Sequence, residues 1–179
     1  SQALPHFYEL IKEGWPCNLY LDVEFNRLLN PNHPDGMSCL RILLARLAKE
    51  IMSVYRIAVR PEHCILLLSS SEKKFSAHVT IRMPNAWFDN NVVMGDFIQR
   101  FADAVARERQ CWVDEAGVAQ AVGSGCNRPS FSPLECLFVH GTPPAAEPGV
   151  SGLVSAQVAD TFIVDLAVYT KNRNFRLMD

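Results

Sequence analysis

Apolar and polar positions alternate with a period of two in three stretches of this chain, and recur at helical spacing in others. The first alternating stretch is NLYLDVEF, with Leu19, Leu21, Val23 and Phe25 on one side and Tyr20, Asp22 and Glu24 on the other. The second is FSAHVTIRM, where Phe75, Ala77, Val79, Ile81 and Met83 alternate with Ser76, His78, Thr80 and Arg82. The third is TFIVDLAVYT, with Phe162, Val164, Leu166 and Val168 set against Ile163, Asp165 and Ala167. Each predicts a strand with one buried face. The apolar run CILLL (64–68) predicts a further short strand, and SSSEKK after it a polar turn.

Helical spacing is clearest at 38–55, where Leu40, Leu43, Leu44, Leu47, Ile51 and Val54 form one stripe. A second helix is predicted from an N-cap at Asp96, with Gln99 three residues on, through Phe97, Ile98, Phe101, Ala104 and Val105. Near the start, Leu4, Phe7, Leu10 and Ile11 followed by Gly14 predict a short amphipathic helix with a stop. NPNHPDG (30–36) is dense in turn formers and reads as a loop. Residues 114–160 hold six of the nine Gly and five of the eleven Pro, so they read as a loop-rich insertion with one strand at CLFVH. The pattern predicts one α/β module over 1–179, with a mixed, largely antiparallel sheet flanked by helices.

Composition narrows the class without naming it. With 179 residues, 49% of them hydrophobic, and a net charge of -2, the chain is an ordinary globular protein with material for a sizeable core. The charge balance excludes a strongly basic nucleic-acid coat protein, so any such contact must come from a local patch. No apolar run approaches the roughly 20 residues of a membrane-spanning helix. The six cysteines form no C-x-x-C spacing, which argues against a structural zinc site. The start SQALPHFYEL has neither a secretory signal nor an initiator Met, so reduced thiols and a chain cut from a longer one are expected.

The chemistry sits on the polar sides of the three alternating stretches. Asp22 and Glu24 stand two residues apart on the first and Ser76 and His78 on the second, so each pair points one way about 7 Å apart. Asp165 lies in the third. Three carboxylates on one sheet face repel one another unless a cation sits among them, and such oxygen ligands suit Mg²⁺ or Mn²⁺. Lys74, Ser76, His78 and the Arg173/Arg176 pair of the terminal KNRNFR can hold phosphates. Taken one at a time, these features also fit a solvated strand face, a satisfied histidine, a strand-edge acid and a soluble tail.

The joint pattern is more specific. D-x-E, then S-x-H, then a hydrophobic residue followed by Asp, each on a predicted strand, resembles the three catalytic motifs of the archaeo-eukaryotic primase superfamily. LYLDVEFN, SSSEKKFSAH and VDLAVYTKNRNFRL resemble stretches of its eukaryotic primase-polymerase branch, and the last of these covers fourteen residues. The resemblance spans most of the chain apart from 114–160 and implies an RRM-like catalytic module. It further implies that Asp22, Glu24 and Asp165 are catalytic and ligate Mn²⁺ or Mg²⁺. Lys74, Ser76 and His78 would bind the incoming triphosphate, with Arg173, Arg176 and Asn174 in the same nucleotide pocket.

The implied activity is template-directed, two-metal nucleotidyl transfer from a dNTP or NTP to a 3′-hydroxyl, in repriming and DNA damage tolerance. The implied partners are DNA template and primer and a single-stranded-DNA-binding protein, with no membrane, in the nucleus or the mitochondrion. Family members also carry a module before the D-x-E strand and a zinc-binding domain after the catalytic core, so the resemblance implies that this chain is a catalytic-module fragment. Two departures stand out: no basic residue follows NFRL closely, and Leu68 occupies a position where the family usually has Asp. Two other readings stay open, a two-metal nuclease or phosphatase and an inactive nucleic-acid-binding module. The phosphate-binding set counts against the first and the retained acids against the second.

Overall fold

The computed structural model describes residues 7–122, 132–141, 160–169 and 173–178. Its strands are β1 (Phe7–Ile11), β2 (Leu19–Asn26), β3 (Cys64–Leu68), β4 (Lys74–Ile81), β5 (Phe138–His140), β6 (Asp160–Phe162) and β7 (Arg173–Met178). Two helices, α1 (Gly36–Tyr55) and α2 (Asn91–Val122), complete the mixed α/β architecture. The central sheet has the order β2-β4-β3, with two-stranded sheets β1-β7 and β5-β6 beside it, and every pairing among these strands is antiparallel.

The central sheet follows from the alternation. Leu19, Leu21, Val23 and Phe25 of β2 and Phe75, Ala77, Val79 and Ile81 of β4 are all buried, so the two strands share one core face. That face joins Leu40, Leu43, Leu47 and Ile51 of α1 and Met94, Phe97, Ile98, Phe101 and Val105 of α2 in one hydrophobic cluster. Asp35 caps α1 by accepting from the Ser38 N–H at 3.2 Å, and Arg56 ends the helix in the left-handed region at φ 59°. Gly36 opens α1 where a Cβ would lie 2.3 Å from Cδ2 of Phe75, so only glycine lets the helix start this close to β4.

Several expectations change. The segment around Phe7–Ile11 is strand β1, not a helix, because it pairs along its length with β7. A five-residue segment has too few turns to sustain a helix, whereas a partner strand satisfies its backbone. α2 begins at Asn91 instead of after Asp96, and its cap is Asn90, whose Oδ1 accepts from the N–H groups of Val92 (3.0 Å) and Val93 (2.9 Å). Gln99 donates instead to Asp103 at 3.0 Å. α2 also runs on to Val122, so the first residues of the 114–160 interval are helical, while residues 123–131 and 142–159 lie outside the described residues.

The third alternating stretch is only briefly a strand. β6 ends at Phe162, Val164 makes a single antiparallel bridge to Val23 of β2, and a 3-10 turn occupies Leu166–Tyr169. The cause is local: the Asp165 carboxylate accepts from the Ala167 N–H at 2.9 Å, a turn-forming bond that halts extension. Among the described residues no helix is long and apolar enough to cross a membrane. Cys17, Cys39, Cys64, Cys111 and Cys136 are all free thiols.

Candidate active site

The register of β2 against β4 assembles the site. Asp22 stands opposite His78, Glu24 opposite Ser76 and Asn26 opposite Lys74, so two motifs more than fifty residues apart in sequence share one sheet face. Directly opposed residues hold their Cβ atoms about 4.5–5.5 Å apart, close enough to act on one ligand. The third motif reaches the other edge of β2 through its backbone. The Asp165 N–H donates to the Asp22 carbonyl at 2.8 Å and the Glu24 N–H to the Ile163 carbonyl at 3.1 Å. Asp165 is therefore tied to Asp22, although it sits after a bridge residue and not within a strand as expected.

Each charged group has a definite environment. His78 Nε2 lies 3.4 Å from Asp22 Oδ1, a charge contact when the ring is protonated. Lys74 Nζ forms an ion pair with Glu24 Oε2. Asp22 Oδ1 is nevertheless buried without a hydrogen-bond donor, which is costly for a carboxylate oxygen and fits a site built to meet a cation. Among the described residues, as placed, no three His, Cys, Asp or Glu side chains gather closely enough to hold a metal ion. The donor set still fits a hard divalent cation, because Mg²⁺ is usually held by one or two carboxylates together with substrate phosphates.

Ser76 is fixed by the serine run before it. Ser69 Oγ donates to Ser76 Oγ at 3.1 Å, which leaves the Ser76 hydroxyl proton free to point elsewhere. Ser70 Oγ both accepts from the Ser76 N–H at 3.0 Å and donates to its carbonyl at 3.1 Å. The polar turn read from SSSEKK is thus a brace for the S-x-H motif. Arg173, Asn174 and Arg176 lie on β7 opposite Ile11, Leu10 and Tyr8, and their side chains lie outside the described ones.

The wall of the site contains residues that sequence reasoning did not single out. Tyr20, on the same side of β2 as Asp22 and Glu24, is buried, as are Tyr169 and Asn91. Tyr20 and Tyr169 bond to each other's segments, and Asn91 Nδ2 donates to the Tyr169 carbonyl at 3.3 Å. The signal available was Tyr20 itself, a large aromatic on the polar side of an alternating strand. The cavity lined by Asn30, His33, Glu135, Cys136, His140 and Asp160 includes none of the motif residues. The candidate site is the Asp22/His78 face of the sheet.

No family model matches the chain. Curated proteins do: DNA-directed primase/polymerase protein of Mus musculus is 36% identical over 183 residues, covering 98% of this chain and 34% of that protein. The proteins of that name from Danio rerio and Homo sapiens are 32% and 28% identical, covering 98% and 97% of this chain and 32% and 35% of their own lengths. The chain spans about a third of the length of the curated relatives it matches. The D-x-E and S-x-H motifs in register on paired strands, with the third acid bonded to the first, lie within this similarity, which extends over nearly all of the chain and supports its reading as the catalytic core of a DNA-directed primase/polymerase.

Proposed function

We propose that this chain is the catalytic core of a DNA primase-polymerase, which transfers a nucleotidyl group from a dNTP or NTP to a 3′-hydroxyl under the direction of a DNA template. The observation that carries the reading is the cross-strand register: the acidic pair Asp22/Glu24 directly faces the phosphate-binding pair His78/Ser76. A nuclease needs no such dedicated triphosphate clamp beside its acids.

In this reading Asp22, Glu24 and Asp165 would hold Mn²⁺ or Mg²⁺, which when bound would lower the pKa of the attacking hydroxyl and offset the charge of the triphosphate. The remaining work falls to the protein's own groups. Lys74, paired with Glu24 in this structure, turns to the triphosphate when nucleotide binds. His78, beside Asp22, and Ser76, braced by Ser69, face the same phosphates. Arg173, Asn174 and Arg176 on β7 complete the nucleotide pocket, where guanidinium forks match phosphate oxygens. DNA template, primer and a single-stranded-DNA-binding protein are the proposed partners, repriming and damage tolerance the proposed role, and nucleus or mitochondrion the proposed location. Metal-dependent nucleotide binding, compared between the protein and its Asp22→Ala/Glu24→Ala variant, tests the site.

A further inference from the structure

The third motif is held by very little regular structure. Its strand stops at Phe162, one bridge joins Val164 to Val23, and the chain then turns at Leu166–Tyr169. What fixes the far side of Asp165 is a reciprocal pair of bonds from two buried tyrosine hydroxyls to backbone carbonyls of each other's segments. Tyr20 Oη donates to the Val168 carbonyl at 3.2 Å, and Tyr169 Oη donates to the Tyr20 carbonyl at 3.0 Å. The rings lie 5.4 Å apart, and Asn91 at the start of α2 holds the Tyr169 carbonyl. Gly95, one turn along α2, has no side chain where a Cβ would come within 2.7 Å of the Tyr169 Cβ.

We propose that Tyr20 and Tyr169 are positioning residues that set Asp165 against Asp22; this rests on the catalytic reading above. Tyr20 lies two residues before Asp22 on the same side of β2, and Tyr169 lies four residues after Asp165, so the clasp links the two acid-bearing segments. With the Asp165–Asp22 backbone bond it forms a closed loop: break the clasp, and Asp165 is held from one side only. Phenylalanine at either position fills the same core volume but removes one of the two hydroxyl-to-carbonyl bonds, and this separates a positioning role from simple packing. Tyr169 also lies close enough to both acids for Asp22 and Asp165 to resist its ionisation, after the larger effect of burial.

The test uses Tyr20→Phe, Tyr169→Phe and the double variant. Mn²⁺ is titrated into protein with a fixed dNTP, and amide hydrogen exchange is read without metal. The clasp predicts a half-saturating Mn²⁺ concentration raised roughly tenfold or more, as for other groups that orient ligating carboxylates. Nucleotide affinity should recover at saturating Mn²⁺, and the double variant should resemble the single ones because the two bonds act together. The Asp165 amide should lose protection by roughly tenfold beyond any change at the Leu43 amide in α1. An unchanged Mn²⁺ requirement and unchanged relative protection in folded variants would overturn the clasp. Failure of the unsubstituted protein to bind nucleotide with Mn²⁺ would overturn the catalytic reading instead, and the exchange measurement would still judge the clasp. If Tyr169→Phe does not fold, Tyr20→Phe removes the other half of the clasp and carries the same test.

Discussion

Gly95→Ala sets two known effects against each other at the back of the site. Alanine in a helix interior is favoured over glycine by about 0.8–1.0 kcal/mol, so propensity alone predicts stabilisation. The structure predicts the reverse. A Cβ at position 95 would lie 2.7 Å from the Tyr169 Cβ and 3.3 Å from its Cγ. Carbon atoms in comfortable contact are about 3.5–4.0 Å apart, so one partner must yield by nearly 1 Å. Tyr169 is poorly placed to do so, because its hydroxyl is bonded to Tyr20 and its carbonyl to Asn91 in a buried setting. Overpacking of this kind costs about 1–3 kcal/mol, which leaves a net loss of about 1 kcal/mol after the helix gain. For a chain of this size that lowers the thermal midpoint by roughly 2–4 °C. Calorimetry or circular dichroism under matched conditions reads the difference directly. A midpoint equal to or above that of the parent protein would show that Tyr169 gives way freely, and would refute the rigid packing on which the estimate rests.

Two further outcomes follow from the packing. Gly36→Ala places a Cβ 2.3–2.5 Å from three ring atoms of Phe75, which is itself packed on Phe25 with ring centroids 5.4 Å apart. At the first residue of α1 there is little propensity gain to offset this, so urea unfolding should show a loss of about 2 kcal/mol, and an unchanged midpoint would contradict the packing. Burial, then the charges of Tyr20, Asp22 and Asp165, raise the Tyr169 pKa well above its ordinary value. A folded pKa above the unfolded one, near 10, gives stability that is complete below about pH 10 and declines as pH rises further, by up to about 1.4 kcal/mol per pH unit. Tyr169→Phe should flatten that alkaline decline, and an identical slope in denaturant titrations above pH 10 would count against it.

The parts legible in the sequence are those where one local pattern meets no competitor. The β2 and β4 alternation gave both the core face and the opposite face that carries Asp22, Glu24, Ser76 and His78, because a period of two leaves a strand no other arrangement. The leucine stripe of α1 was equally plain. The register that sets Asp22 against His78 was not legible, since pairing depends on the turn geometry between distant segments. At Phe7–Ile11 a helical spacing over so few residues yielded to the partner strand β7, which no local pattern announces. The pattern put the start of the second helix at Asp96, and the packing that accommodates Gly95 inside α2, the approach of Tyr169, comes from seventy-four residues away. Asp165 looked like a strand residue because alternation does not register that an aspartate can turn the chain by accepting the Ala167 N–H. The Tyr20–Tyr169 clasp was hidden for a related reason: hydroxyl-to-carbonyl bonds leave no periodic trace.

The central claim is that Asp22 and Glu24 organise a metal-dependent nucleotide site opposite Ser76 and His78. Its most direct test is binding of a dNTP to this protein with and without Mn²⁺, beside the Asp22→Ala/Glu24→Ala variant, with folding of both checked by thermal unfolding. The account predicts binding that requires Mn²⁺ and disappears in the folded variant. Equal binding by both proteins, or none by either, would mean that the acids do not build a nucleotide site, and the proposed nucleotidyl transfer would fall with it.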